Sequence, residues 1–238
     1  MSQNPRLLIS LATYNECENL PVLASQIFDY VPDADILVVD DSSPDGTAAW
    51  VEGQMQTDCR FKLIKRPGKL GLGTAVLAAM EYAIQNGYDF LVNMDADLSH
   101  PPRFLPAIRA KAEEGFDVVI GSRYVPGGKI EGWTLARRFM SRGINLYARW
   151  LLGLKTRDNS GSFRCYRTAL LHRFDPQSII SRGYSFFEEV LFHLRKLDAT
   201  FAEVPITFEE RHAGQSKLNI KEIFIALWLL LRIGIFKI

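Results

Sequence analysis

Phe90-Leu91-Val92-Asn93-Met94-Asp95-Ala96-Asp97-Leu98-Ser99-His100-Pro101-Pro102 decides how this chain is read. An apolar run of strand length ends abruptly in two carboxylates and a proline pair. Its near-continuous apolar character matches a strand buried on both faces of a parallel sheet. Residues two apart on a strand share a face, so the side chains of Asp95 and Asp97 can converge. Converging hard oxygen donors at a strand end suit Mg²⁺ or Mn²⁺. The competing reading is a solvated turn stiffened by Pro101 and Pro102.

Similar runs lie on either side. Leu7–Ala12, Ile36–Asp40, Phe61–Lys65 and Val118–Gly121 are short and β-rich, and stretches with helical spacing separate them. Asn19–Tyr30 carries Leu20, Leu23, Ile27 and Tyr30 on one helical face, and Gly71–Gln85 ends at Asn86-Gly87, a natural helix stop. Strand and helix in alternation predict an α/β, doubly wound, mainly parallel sheet, with ligands beyond the carboxyl ends of its strands. Those ends are polar. The first runs into Thr13-Tyr14-Asn15-Glu16 and the second into Asp40-Asp41-Ser42-Ser43-Pro44-Asp45-Gly46. One terminal Asp is often a turn or cap, but acidic residues at successive strand ends mark a site.

The second half is less regular. Gly132–Lys155 reads as helical, broken near Gly143 and Gly153; Tyr184–Lys196 reads as a helix and Phe201–Phe208 as a strand containing Pro205. With 28 basic and 27 acidic side chains the net charge is +1, so nothing in the total points to a nucleic-acid binder. Cys17, Cys59 and Cys165 are unpaired in number and widely spaced, which argues against a disulfide framework.

Charge is segregated locally. Between Trp133 and Arg157 stand Arg137, Arg138, Arg142, Arg149, Lys155 and Arg157 with no acidic residue, interleaved with Trp133, Phe139, Met140, Tyr147 and Trp150. A basic helix carrying large aromatics fits an anionic membrane surface. Ile223–Ile238 is apolar apart from Arg232 and Lys237: longer than a strand, yet shorter than the roughly 20 residues a spanning helix needs. The expected organisation is a catalytic domain over 1–218 and an apolar, membrane-associating helix over 219–238, with a buried terminal helix as the other reading.

Taken together, these motifs resemble glycosyltransferase family two, and within it the dolichyl-phosphate (polyprenyl-phosphate) mannosyltransferases. The matching segments are Ala12–Glu16, Val39–Thr47, Leu70–Ala75, Met94–Pro101, Gly121–Tyr124, Ser141–Gly143, Gly161–Arg164, Gly183-Tyr184 and Arg211–Leu218. They follow the family's order along nearly the whole chain. The resemblance implies a GT-A fold, GDP-mannose as donor, a divalent metal (Mg²⁺ or Mn²⁺) and inverting transfer to a polyprenyl or dolichyl phosphate. It further implies an enzyme at the cytoplasmic face of a membrane and leaves room for a membrane-embedded partner protein. By the same resemblance Ala12, Tyr14, Glu16, Val39 and Asp41 line the nucleotide pocket, together with Asp95, Ala96, Asp97, Arg123, Arg211 and Lys217. Asp95 and Asp97 hold the metal, with Ser99 at a further ligand position. Ala12 replaces a proline frequent there.

Arg123 follows a strand end, and Arg211 and Lys217 flank a glycine-containing loop able to close on a diphosphate; Arg suits bidentate phosphate binding. The resemblance also implies Arg137 and Ser141 at the acceptor phosphate, with Arg123 expected beside them. Asp97, Arg123 and Arg211 are the residues expected to carry catalysis. Three other readings stay open from sequence: another nucleotide sugar such as UDP-glucose, a soluble enzyme acting on protein or polysaccharide, and a binding module that has lost catalysis.

Overall fold

A computed structural model of the chain describes residues 5–181, 183, 185–210 and 220–236. The first half alternates as β1 (Leu7–Thr13), α1 (Leu20–Tyr30), β2 (Asp35–Asp40), α2 (Thr47–Met55), β3 (Phe61–Lys65), α3 (Leu72–Gln85), β4 (Phe90–Asp95), α4 (Leu105–Glu113) and β5 (Val118–Ser122). The second half follows as β6 (Lys129–Ile130), α5 (Leu135–Leu152), β7 (Arg164–Arg167), α6 (Thr168–Leu171), α7 (Phe186–Lys196), β8 (Phe201–Pro205), β9 (Thr207–Phe208) and α8 (Ile220–Phe236). Seven strands form one sheet in the order β3-β2-β1-β4-β7-β5-β8, and β6 pairs with β9 beside it. All pairings are parallel except those of β7 with β4 and with β5. This is the mainly parallel sheet that the strand pattern predicts, in the GT-A arrangement that the family resemblance implies.

Alternation along the strands divides the core. Leu8, Leu37, Val39, Leu91 and Ile120 face one way, into a layer closed by α3, α5, α7 and α8. Ile9, Leu11, Ile36, Val38, Val92 and Val119 face the other way, against α1 and α4. Because helices cover both faces, the central strands read as unbroken apolar runs.

Two sequence expectations need correcting, and one strand was not anticipated. Helix α5 runs unbroken through Gly143, where an added Cβ would meet nothing; a glycine there leaves the backbone ladder intact. Gly153 does end the helix, in the left-handed conformation at φ 64°. The expected strand Phe201–Phe208 is two strands in different sheets. Pro205, without an N–H, closes β8, and Thr207–Phe208 turns away to pair with β6. Finally β7, Arg164-Cys165-Tyr166-Arg167, escapes a hydrophobic-run search because charged residues stand at both ends. Arg164 is nonetheless fully buried, donating to the carbonyls of Asn159 and Phe187.

A polar row crosses the face beneath α7. Ser10, Asn93 and Arg164 are register partners on β1, β4 and β7, and all are buried. Glu188 of α7 is buried as well, within electrostatic reach of Arg164; desolvation pushes its carboxyl up to about 8. A carboxyl raised on folding contributes stability fully below its unfolded value of 4.5 and loses it as pH rises through about 8. Glu188→Gln should therefore melt with the parent near pH 4.5 and several degrees above it beyond pH 8. Thermal unfolding followed by circular dichroism across that range checks this; parallel profiles would refute it.

Candidate active site

The end of β1 is flanked by carboxylates on both sides. Thr13 is the register partner of Asp40 on β2, and Ala12 that of Asp95 on β4. Strand order reverses at β1, so these residues sit at a topological switch point, where open α/β sheets bind ligands. The two acidic ends differ in construction. Asp40 is a structural brace: it accepts from Thr13 Oγ1 at 2.9 Å and from the Ser43 amide at 3.0 Å. Asp41 turns instead to Arg66, which follows β3, in a buried ion pair, and its second oxygen accepts from the Leu70 amide at 3.2 Å. Arg66 also donates to Thr74 Oγ1 and the Gly71 carbonyl, tying the glycine loop before α3 to the rim.

The loop after β1 is laced to the loop after β2. The Asn15 amide donates to Ser43 Oγ, the Glu16 amide to Thr47 Oγ1 and the Cys17 amide to Asp45. Asn15 takes a left-handed turn at φ 64°, which leaves Tyr14 on the surface with the Lys69 ammonium 4.2 Å from its ring centroid. Glu16 accepts from the Asn19 amide group at 2.7 Å. Ala12 is partly buried, and Val39 beside it is wholly within the core.

At the end of β4 the chain turns sharply, with Leu98 at φ 65°. His100, fully buried, folds back so that its Nδ1 accepts from the Asp95 amide at 3.1 Å. Desolvation holds His100 below its ordinary value, so it stays neutral and its Nδ1 lone pair is occupied. The Asp95 carboxylate accepts from Ser162 Oγ at 2.8 Å, and Asp97 accepts from the amide and Oγ of Ser99 at 3.1 and 2.6 Å. Ala96 between them is buried. Among the described residues no third His, Cys, Asp or Glu joins this pair to form a metal-holding group. Two braced carboxylates with the rest of the shell left to other oxygens is the donor set Mg²⁺ and Mn²⁺ take with substrate phosphates. The residues fit such an ion.

Cationic groups close the other side. Arg123, just beyond β5, is nine-tenths buried and pairs with Asp158 through Nε at 2.8 Å and Nη2 at 2.7 Å, while its amide donates to the same carboxylate at 2.9 Å. Despite opposing desolvation, the guanidinium holds Asp158 below the usual carboxylate range, and Asp158 in turn raises Arg123. Around this guanidinium stand Tyr124, Trp133 and Phe208, with ring centroids 5.4–5.6 Å away. A row of rings then links the acidic turn to α5. His100 stacks on Phe163 and meets Phe208 edge-on; Phe208 meets Trp133; Arg137 lies 4.0 Å over Trp133. Ser141, one helical turn beyond Arg137, receives the Tyr124 hydroxyl at 2.6 Å. Asp95, Asp97 and Arg123 all act electrostatically on His100, which places them about one centre.

The family model for glycosyl transferase family 2 matches residues 9–174, most of the chain. The chain belongs to glycosyl transferase family 2. Within the family it is 42% identical over 214 residues to an undecaprenyl-phosphate mannosyltransferase of Micrococcus luteus, covering 90% of this chain and 88% of that one. It is 40% identical over 221 residues to a polyprenol monophosphomannose synthase of Mycolicibacterium smegmatis, covering 91% and 83%. Among solved structures, glucosyl-3-phosphoglycerate synthase from Mycobacterium tuberculosis, with Mn²⁺, UDP and phosphoglyceric acid, superposes with a TM-score of 0.68 at 15% identity. That match covers 98% of this chain and 78% of that one. A Pyrobaculum calidifontis mannosyltransferase with GDP-Man and Mn²⁺ gives 0.59 at 18% identity, covering 90% of this chain and 59% of that one. These two likenesses concern the fold.

Against that family background, the structure gathers Ala12, Tyr14, Glu16, Asp41, Asp95, Asp97 and Ser99 along one rim, with Arg123 beside the acidic turn, Arg137 on Trp133 at the end of the ring series and Ser141 bonded to Tyr124. Arg211 and Lys217 lie outside the described residues. Sequence reasoning passed over Arg66 and Asp158, and assigned no role to Ser162 and Tyr124, which lie within two of the matching segments. Arg66 carried a usable signal, since it stands at a strand's carboxyl end like the acidic residues. Asp158 carried none, because its importance lies in a partner 35 positions away.

Removing one member of a buried ion pair strands the other charge, at a cost of about 3–5 kcal/mol. Asp158→Ala should lose that much in urea unfolding. The double variant Asp158→Ala/Arg123→Met should recover a large part of it; no recovery would mean that the loop, and not the pair, supplies the stability.

Proposed function

We propose that this enzyme transfers mannose from GDP-mannose to a polyprenyl monophosphate, with inversion, at the cytoplasmic face of a membrane. The observation that carries the reading is the opposition of a braced carboxylate pair, Asp95 and Asp97, to two arginines, Arg123 paired with Asp158 and Arg137 paired with Glu210 at 3.5 Å. Two anions must meet in such a transfer, a leaving diphosphate and an attacking phosphate, and the site has a place for each. The names of two relatives at 40–42% identity over about nine-tenths of the chain support mannose and a polyprenyl phosphate as substrates.

In this reading the rim formed by Ala12, Tyr14, Glu16, Val39 and Asp41 takes the nucleoside. Tyr14 offers an exposed ring for stacking, and Asp41 an acceptor held in place by Arg66. Asp95 and Asp97 hold Mg²⁺ or Mn²⁺, with Ser99 orienting Asp97; the ion, when bound, neutralises charge building on the diphosphate. Arg211 and Lys217, assigned from the family motif in the sequence, are the further cations proposed for that diphosphate. Arg137 and Ser141 receive the acceptor phosphate, and Arg123 supplies positive charge between the two anions.

The chemistry explains why no general base is needed. A phosphate monoester, with a second pKa of about 6, is largely a dianion at neutral pH and already nucleophilic. His100, neutral and engaged with the Asp95 amide, positions the turn and moves no proton. The protein's task is to align the acceptor oxygen behind the anomeric carbon and screen repulsion between the phosphates.

The membrane part of the proposal rests on two helices. Among the described residues no helix is long and apolar enough to cross a bilayer. Helix α8, within the apolar 219–238 segment, packs on α5: Tyr147 donates to the Leu227 carbonyl, and an added Cβ at Gly234 would strike Leu151. Leu135, Phe139, Leu146 and Trp150 of α5, and Trp228 and Ile235 of α8, stay exposed, as helices lying in a bilayer interface require. A membrane-embedded partner is a further occupant that this surface allows.

Offered a panel of radiolabelled nucleotide sugars and a short polyprenyl phosphate, the enzyme should incorporate mannose from GDP-mannose into an organic-extractable, mild-acid-labile product. Chelation should stop the reaction and Mn²⁺ or Mg²⁺ restore it; preferred use of UDP-glucose would overturn the donor assignment. Asp97→Ala should keep the parent's circular dichroism and lose metal-dependent transfer by a factor on the order of a thousand or more. Near-parent turnover would remove Asp97 from the metal site.

A further inference from the structure

Outside the site just described, a cleft of about 230 Å³ opens between α5 and the segment that follows it. Its lining is Tyr124, Arg142, Asn145, Leu146, Arg149 and Arg157. Arg142 and Arg149, two helical turns apart, project from one face of α5, with Asn145 and Leu146 between them; Arg157 comes from the following loop. Three exposed guanidiniums therefore border one small volume.

None of the three is neutralised. Among the described residues no carboxylate pairs with Arg142, Arg149 or Arg157, and the one contact of their charged ends is Arg142 over the Tyr124 ring at 5.9 Å. The nearby acids are committed elsewhere. Asp158 is engaged with Arg123 and the Gly161 amide, and Glu203 accepts from the backbone amides of Arg157 and Asp158 at 2.8 and 3.0 Å. Crowded like charges with no internal counter-charge favour an external anion, and arginine in particular grips phosphate oxygens in pairs. The cleft is braced for that role, because Asn145 is locked by the amides of Asn159 and Ser160 at 2.6 and 3.2 Å.

The setting identifies the source of the anion. Leu146, part of the cleft wall, is 66% exposed, and Trp150 on the next turn is 78% exposed, so the cationic mouth opens onto the apolar face of α5. Charged groups at phosphate level with indole and aliphatic side chains reaching past them match the depth profile of a lipid monolayer. Tyr124 partitions this cleft from the proposed acceptor site, since its hydroxyl points to Ser141. We propose that the Arg142–Arg149–Arg157 cleft binds the phosphate headgroup of an anionic membrane lipid distinct from the polyprenyl phosphate acceptor. The inference deepens the membrane reading and rests on it for the lipid as the source of phosphate.

The test separates the two. Partition of the full chain is measured onto phosphatidylcholine vesicles with and without phosphatidylglycerol, no polyprenyl phosphate being present. Arg149→Gln/Arg157→Gln should weaken binding to the anionic vesicles by roughly 30-fold, from about 1 kcal/mol for each basic residue at the surface. Lys65→Gln/Arg173→Gln removes the same charge from other exposed positions and should leave partition near the parent's. Transfer to a short, water-soluble polyprenyl phosphate should be unchanged in both double variants. Equal binding by the cleft variant and the parent, or equal loss in the two double variants, would overturn the proposal; so would a parent that binds glycerol phosphate in solution but not the vesicles. A parent that binds anionic vesicles through the cleft but transfers no mannose would leave the lipid site standing and remove the proposed reaction.

Discussion

The buried pair between Arg123 and Asp158 is the contact on which the site is assembled. It joins the residue just beyond β5 to the loop before β7, where the antiparallel ladder ends with the Gly121 amide donating to the Phe163 carbonyl at 2.9 Å. Asp158 also accepts the amides of Arg123 and Gly161, at 2.9 and 3.2 Å, so that loop is clamped in both backbone and side chain. Four residues beyond Asp158, Ser162 reaches Asp95, and Asn93 donates to the Ser162 carbonyl at 2.9 Å. A guanidinium on one strand end thus fixes a carboxylate on another through a loop that touches both. In a low-dielectric surrounding such a pair acts as a rigid joint, because separating it would leave two desolvated charges.

Aromatic packing carries that rigidity across the cleft. His100, Phe163, Phe208 and Trp133 form a continuous series of ring contacts from the acidic turn to the first turn of α5, where Arg137 lies on the last ring. Opposite charges are held apart by apolar surface and cannot collapse on one another. Arg123 is paired with Asp158 and Arg137 with Glu210 at 3.5 Å, so the acidic turn and the cationic side are each held in place at a fixed separation, as preorganised electrostatic catalysis requires. The same helix places Arg142 and Arg149 beside the outer cleft, so α5 is basic on two faces.

How much of this could be read from the chain alone follows from the range of the interactions. The alternation of strand and helix in residues 7–122, the polar strand ends and the pair Asp95 and Asp97 are local features, set by side-chain period and apolar run length, and they were legible. So was the basic, aromatic character of 133–157. Arg164 and Arg167 hid β7, because a buried arginine makes sense only once the carbonyls that receive it are in place. Gly143 suggested a break that α5 does not have, since a solvent-facing glycine weakens a helix without ending one.

By itself, then, the sequence determined the sheet's rim as the place of chemistry and the residue types available there, because periodicity and strand-end chemistry are properties of neighbours in the chain; the order of its motifs supplied the family resemblance. Tertiary structure alone decided which charges are spoken for. Asp40 and Asp41 are adjacent and chemically identical, yet one braces a turn while the other faces Arg66 across the rim. Arg123 and Arg149 are likewise the same side chain, one locked to Asp158 and the other without a carboxylate partner among the described residues. Pairing depends on which strand and loop ends the fold brings within about 4 Å, and no count along the chain supplies that distance.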